Sequence, residues 1–392
     1  MTTDLVPFTP RRAPFFAFGG RPRDARRARI EASPHQRDGV FQNPVHTPLA
    51  SPGNILPAAW QWLAGREERV PRAEVPAAPL DVGVFDVTPA DGLRATWMGH
   101  SSVLLEIEGA RVLTDPVWSP RIGPVRGTGP RRFLPAPLAL EALPRLDAVL
   151  ISHDHYDHLD FPTIRALRAS RTPFVTSLGV GAHLQAWGIA PERITELDWW
   201  ESHTVPGTGI TVTAAPSQHF SGRGLKTRNT TLWSSLVVRG PRHAVFFSGD
   251  TGLTDQYAEI RARLGPFDLA LLEVGAYYPA WGDMHLGPDN AMQALALLGD
   301  PAFLPVHWGT FCLAMHAWNQ PAERLLELAP ASPAPLLLPH LGEALEPAHG
   351  PRLRPWWRSV GGRETLSEQE LSAPATQGPE PHLNPKEAWP LD

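Results

Sequence analysis

The segment Ile151-Ser152-His153-Asp154-His155-Tyr156-Asp157-His158 packs imidazoles and carboxylates together directly after the apolar run Ala148-Val149-Leu150. Imidazole nitrogen and carboxylate oxygen are the donors that borderline divalent cations take. A buried strand ending in a turn can point alternate residues into one space, so His153 and His155 would share one ion while Asp157 and His158 reach a second. Four donors do not complete two sites, and more are expected at the ends of later strands. His219 follows the turn Pro216-Ser217-Gln218, Asp250 follows the run Phe246-Phe247-Ser248-Gly249, and His307 follows Phe303-Leu304-Pro305-Val306. An aspartate between two ions can give one oxygen to each, which makes Asp250 the bridging candidate. Asp115, closing Leu113-Thr114-Asp115-Pro116, is a candidate acceptor for the outer N–H of a ligand imidazole. Two cations sharing a water would lower its pKa from ~15.7 towards neutrality, which is the chemistry of hydrolysis.

Those donors need a frame. Short β-branched or Leu-rich runs separated by Gly, Pro and Asp fall at residues 93–97, 101–107, 111–114, 148–152, 210–214, 232–238, 244–248 and 269–274, the pattern of strands bounded by turns. Helices are expected over 161–169, over 254–264 with Gly265 as the stop, and over 288–298, where Pro288 occupies the first turn and Gly299 follows the last. Strands and helices interleave, so the class is a layered α/β domain with its chemistry in loops at strand ends.

The 392 residues divide into a basic, Pro-rich N-terminal extension packing partly on the domain (1–85), the α/β domain itself (86–345) and a C-terminal tail (346–392). Residues 1–30 hold seven Arg against Asp4 and Asp24, with Phe15, Phe16 and Phe18 among them. Such a mixture predicts a solvated arm able to make peripheral contact with an anionic membrane. No stretch approaches the roughly 18–20 apolar residues of a spanning helix, and the first residues lack the pattern of a secretory signal. The expected location is cytoplasmic, at most peripheral on the inner membrane face. With Cys312 as the single cysteine, neither an intrachain disulfide nor a thiolate metal site can form. A net charge of −5 and the lack of a nucleic-acid module argue against nucleic acid as a partner, while the composition leaves a homodimer open.

The order His153-x-His155-x-Asp157-His158, then His219, Asp250 and His307, resembles the metallo-β-lactamase fold, a four-layer αββα sandwich with a dinuclear zinc site along one edge. Finer motifs are similar to the branch containing N-acylphosphatidylethanolamine-hydrolysing phospholipase D. They include Trp97-Met98-Gly99-His100-Ser101-Ser102, Gly129-Pro130-Arg131-Arg132-Phe133, Glu196-Leu197-Asp198-Trp199-Trp200, Gly249-Asp250-Thr251-Gly252, Gly275-Ala276-Tyr277 and His307-Trp308-Gly309-Thr310-Phe311. Phe41-x-Asn43-Pro44 is similar to the N-terminal region of that branch, and the resemblance spans roughly residues 40–345. It implies that His153, His155 and His219 hold one zinc, Asp157, His158 and His307 the other, and Asp250 both, with other divalent metals admissible. It implies catalytic roles for Asp157 and for His285, the latter orienting substrate or leaving group, and it sets His100 with Asp115 behind the ligands.

The function this implies is zinc-dependent hydrolysis of N-acylphosphatidylethanolamine or a related lipid-like phosphodiester by a hydroxide shared between two ions. The same apparatus would open a sugar lactone, because it stabilises an oxyanion either way, and a metal-binding scaffold without turnover is the reading from another class. Departures from the family fall where substrate is chosen. Arg126-Gly127-Thr128 stands where the branch has a Gln-Tyr pair, Glu273 where it has proline, and Tyr278-Pro279-Ala280 where it has Glu-Pro-Arg. An apolar channel beside His285 would favour the lipid, and a wide polar cleft the lactone.

Overall fold

The computed structural model describes residues 17–45, 60, 65–75, 80–224, 226–278, 284–350 and 353–360. Among these residues fifteen strands, numbered in chain order, form two mixed sheets and a small hairpin. The hairpin pairs β1 (Gln36–Arg37) with β2 (Val40–Phe41). One sheet contains β3 (Leu93–Gly99), β4 (Ser102–Ile107), β5 (Ala110–Thr114), β6 (Ala148–Ile151), β7 (Phe174–Ser177), β8 (Ile194–Leu197) and β15 (Ala344–Leu345), in the order β15-β3-β4-β5-β6-β7-β8. The other contains β9 (Ser202–Thr204), β10 (Thr211–Ala215), β11 (Ser235–Arg239), β12 (Ala244–Phe247), β13 (Leu269–Glu273) and β14 (Ala302–Val306), in the order β14-β13-β12-β11-β10-β9.

Alternation along the strands builds the layers, since successive side chains leave opposite faces. Val103, Leu105 and Ile107 point between the sheets, where Val212, Leu236, Phe247 and Leu271 meet them. Met98, Leu104, Leu113, Val149 and Ile151 point the other way, onto α2 (Phe161–Leu167) and α3 (Gly181–Ala186). The outer face of the six-stranded sheet carries α4 (Gln256–Leu264), α5 (Gly287–Leu298) and α6 (Gln320–Leu328), through Ile260, Leu295 and Leu325. The result is αββα. Within it, β5 to β8 run parallel, as do β12 to β14. Parallel strands end together, so the loops after β5, β6, β12, β13 and β14 collect at one edge.

Several boundaries differ from the sequence reading. The run 232–238 enters its ladder only at Ser235, because Leu232 N–H donates to Leu178 O and Ser234 N–H to Ser152 O as the chain crosses between sheets. The sequence pattern does not predict β7 or β8, because β7 (Phe174–Ser177) has only two apolar residues and β8 is an edge strand without an apolar stripe. The tail expected from residue 346 begins later. Trp356 and Trp357 are buried, and Trp357 lies edge-on to Trp308 with ring centroids 5.6 Å apart, so the packed chain continues to Ser359.

At the other end, α1 (Asp24–Glu31) lies against the domain. Arg26 pairs with Glu196 and Arg29 with Glu201, so these two arm charges are already matched within the chain. Arg11, Arg12, Phe15 and Phe16, and residues 361–392, lie outside the described residues. Among the described residues no helix is long and apolar enough to cross a membrane.

The arm reaches the chemistry through Arg223, which is buried. Its guanidinium donates to the carbonyls of Ala17, Asp154 and Leu159 and lies over the ring of Tyr156, 4.0 Å from the centroid. Arg223→Met would leave those carbonyls without a donor. A loss of about 3 kcal/mol of unfolding free energy is expected, measured by urea denaturation, and a change below ~1 kcal/mol would contradict this role.

Candidate metal centre

At the shared edge, β6 delivers His153, His155, Asp157 and His158, the loop after β10 delivers His219, the loop after β12 delivers Asp250, and β14 ends on His307. Two groups of donor atoms form. In the first, His153 Nε2 lies 2.9 Å from His155 Nδ1, and His219 Nε2 lies 3.3 Å from the same atom. Asp250 Oδ2 faces this group, 3.9 Å from His153 Nε2 and 3.6 Å from His219 Nε2. In the second, Asp250 Oδ1 lies 3.1 Å from His158 Nε2 and 3.2 Å from His307 Nε2, while Asp157 Oδ2 is 3.3 Å from His307 Nε2. Asp250 therefore turns one oxygen to each group.

Whether cations suit these groups is decided by how the outer atoms are engaged. His158 Nδ1 pairs with Asp115 Oδ2 at 2.7 Å, and His219 Nδ1 with Met284 O at 3.0 Å. With the Nδ1 proton committed there, each Nε2 turns a lone pair to the cluster. His158 Nε2 and Asp250 Oδ1 are buried without a hydrogen-bond partner although only 3.1 Å apart. Lone pairs crowded at this spacing repel unless a cation lies among them, and the all-N/O donor set suits zinc and its neighbours.

The charges agree. Burial alone would raise Asp157 and Asp250, but the facing imidazoles, His158 foremost, outweigh it and hold both well below the usual carboxylate range. Burial pushes His153 and His219 well below the ordinary imidazole value, into the neutral form that ligates metal. His307 is opposed by burial yet lifted to about 10 by Asp250 and Asp157. The carboxylates thus demand positive charge at this point.

Backbone strain marks the same edge. His100, Asp115 and His307 have φ of 53°, 30° and 64°, a region non-glycine residues enter at a cost and keep mostly where surroundings impose it. Asp115 accepts from Ser152 N and Ser152 Oγ besides meeting His158. The backbone N–H of His100 donates to Thr310 Oγ1, and its Nε2 stands 3.1 Å from Asp157 Oδ2. His100 thus meets the carboxylate of one candidate ligand, and its donor atom lies within 4.8 Å of those of Asp157, His158 and His307. Gly275 permits the approach of β13 to β14, since a Cβ there would lie 1.9 Å from His307 O.

His285 lines the same cavity, with its ring centroid 5.1 Å from that of His219 and 5.5 Å from that of His307. Its partner was not anticipated. Glu273, wholly buried at the end of β13, meets His285 Nδ1 through Oε2 at 2.8 Å and accepts from Thr251 N through Oε1. Burial raises the Glu273 carboxyl; burial would lower His285, but Glu273 outweighs it and the net shift is upward. A carboxylate at the end of an otherwise apolar buried strand was the available signal, and the sequence reading passed over it as a mere departure from proline. The cavity measures about 470 Å³, and Phe220, Ala276, Met284 and Leu313 give it apolar walls beside His285.

Comparisons agree with this architecture. The description "Beta-lactamase superfamily domain" matches residues 110–308. An uncharacterized protein of Mycobacterium tuberculosis is 46% identical over 338 residues, 85% of this chain and 89% of that protein. The Caenorhabditis elegans protein named N-acyl-phosphatidylethanolamine-hydrolyzing phospholipase D 1 is 37% identical over 257 residues, 63% of this chain and 72% of that protein. Among solved structures, an isothiocyanate hydrolase from Delia radicum gut bacteria superposes with a TM-score of 0.52 at 21% identity, covering 64% of this chain and 98% of that one. A chain whose clustered histidines and aspartates sit within such a matched core belongs to the β-lactamase superfamily, as a metallo-hydrolase with relatives named for N-acylphosphatidylethanolamine hydrolysis.

Proposed function

We propose that this chain is a dinuclear metal phosphodiesterase, with zinc as the favoured metal, that hydrolyses N-acylphosphatidylethanolamine or a closely related phosphodiester. The observation that carries the reading is Asp250, with one oxygen towards each of two histidine-rich donor groups, at the floor of an apolar-walled cavity. His153, His155 and His219 would hold one cation, Asp157, His158 and His307 the other, and Asp250 both. When bound, the pair supplies a water acidic enough to attack at neutral pH and offsets charge developing on the phosphoryl oxygens.

The protein residues do the rest. Asp115 and Met284 O fix the ring orientations of His158 and His219. Phe220, Met284 and Leu313 exclude bulk water from the reacting bond, which strengthens every charge interaction there. Glu273 engages His285 Nδ1, leaving Nε2 as the nitrogen free to serve substrate. As water adds to phosphorus and the bond from phosphorus to the alcohol oxygen breaks, His285 Nε2–H donates to the departing oxygen, so that alcohol leaves rather than alkoxide.

Purified full-length protein with its metal counted should cleave N-acylphosphatidylethanolamine at least about tenfold more efficiently than bis(p-nitrophenyl) phosphate, and a sugar lactone more slowly than either. A lactone turned over fastest would replace this reading with carbonyl hydrolysis, and no turnover of any by the metal-loaded chain would make it a scaffold. Removing metal with a chelator should abolish turnover and lower the melting temperature by about 5 °C, since a ligand of the native state stabilises it by mass action. An unshifted melting temperature would mean that the donor groups hold no cation.

A further inference from the structure

One charged side chain of the cavity is absent from the metal groups and from the His285 pair. Arg228 lines the cavity wall, is exposed, and has no carboxylate partner among the described residues. Its guanidinium lies over the Phe220 ring, 4.6 Å from the centroid, and Phe220 in turn rests 4.6 Å from His155 and 4.6 Å from His219. Two steps of 4.6 Å bound the separation, so the cation stands at most about 9.2 Å from either imidazole centre, one aromatic ring removed from the donors.

The loop that carries it is knit together. Arg223 N–H donates to Thr227 Oγ1, Thr227 N–H to Gly224 O, Asn229 N–H to Ser221 O, and Ser221 N–H to Asn229 Oδ1. Arg228 is thus held by its backbone on both sides and by Phe220 beneath, rather than swinging freely in solvent. A positioned guanidinium presents a fork of donors that matches a carboxylate or phosphate. Phe220 is the ring in contact with both imidazoles and it carries the guanidinium in turn, so the group Arg228 is placed to meet is a second acid of the substrate, a few bonds from the scissile phosphate.

We propose that Arg228 is a specificity-determining residue, and that the preferred substrates are phosphodiesters carrying a second anionic group on the alcohol that leaves. This rests on the phosphodiesterase reading and narrows its substrate class. The test uses the metal-loaded full-length chain in mixed micelles and compares N-acylphosphatidylserine, which adds one carboxylate to the headgroup, with N-acylphosphatidylethanolamine. The parent should favour the serine lipid about fivefold or more in kcat/KM, chiefly through KM. Arg228→Gln should bring the ratio to about one, and Arg228→Lys should keep part of the preference, because a point charge replaces the fork. A ratio between two substrates does not depend on the fraction of folded protein. Turnover of both lipids without preference in the parent, or a ratio unchanged in Arg228→Gln, would overturn the inference alone. Turnover of neither lipid would overturn the phosphodiesterase reading, and the inference with it.

Discussion

Replacing Asp250 by Asn should reduce phosphodiester turnover at least about a thousandfold and lower the bound metal below two per chain. The carboxylate is 4% exposed and is the residue common to both donor groups, with Oδ2 towards His219 and Oδ1 towards His158 and His307. Asparagine keeps the shape but presents an NH₂ to one of the two groups, where a donor faces a cation and repels it. The lost negative charge also removes the interaction that lifts His307 against the pull of burial. Losing one cation of a pair removes half of the charge that offsets the developing phosphoryl oxygens, which is worth several kcal/mol of barrier. Metal counting beside steady-state kinetics checks the prediction. A variant that keeps two metals and full turnover would show that Asp250 does not bridge.

The second large effect is expected at the pair His285 and Glu273. His285→Ala should lower kcat about 100- to 1,000-fold, the usual contribution of a positioned proton donor, while leaving the metal count at two. Glu273→Gln should keep the packing and the contact to Thr251 N but deprive His285 of its carboxylate. A loss of about tenfold or more is expected, together with a displaced acidic-to-basic limb in the rate profile, because the histidine then titrates without its carboxylate partner. A phosphodiester with a nitrophenol leaving group, which departs without a proton, should be nearly insensitive to His285→Ala. Equal losses on both substrates would reduce His285 to a structural part of the cavity, and loss of metal from His285→Ala would make it a ligand.

The sequence was most informative where chemistry and regular structure coincide. Ala148–Ile151 is a buried strand and the residues after it are ligand types, so the first donors and their position at a strand end were both legible. His219, Asp250 and His307 were legible for the same reason, each following an apolar run. What the sequence did not expose depends on contacts between distant strands. Glu273 and His285 are twelve residues apart, and Glu273 gains its meaning only because β13 ends beside the loop that carries His285. His100 stands within reach of Asp157 because the β3–β4 turn holds it at positive φ, which no spacing rule expresses. Trp356 and Trp357 fall in the stretch from 346 expected to be a tail, yet one indole tilted and one edge-on to Trp308 pack there. Arg228 drew no notice, since one arginine in a loop of mixed polarity acquires a role only when the cavity beside it is known.

If Asp250 holds two cations in common, water adds to phosphorus and full turnover requires two metal equivalents. Metal-free protein titrated with Zn²⁺ in ¹⁸O-enriched water, with N-acylphosphatidylethanolamine as substrate and products read by mass spectrometry, tests it in one measurement. Expected are ¹⁸O in the phosphate of the phosphatidic acid, unlabelled N-acylethanolamine, and a rate that reaches its plateau at two equivalents per chain. Label in a released fatty acid, or a plateau at one equivalent, would contradict it.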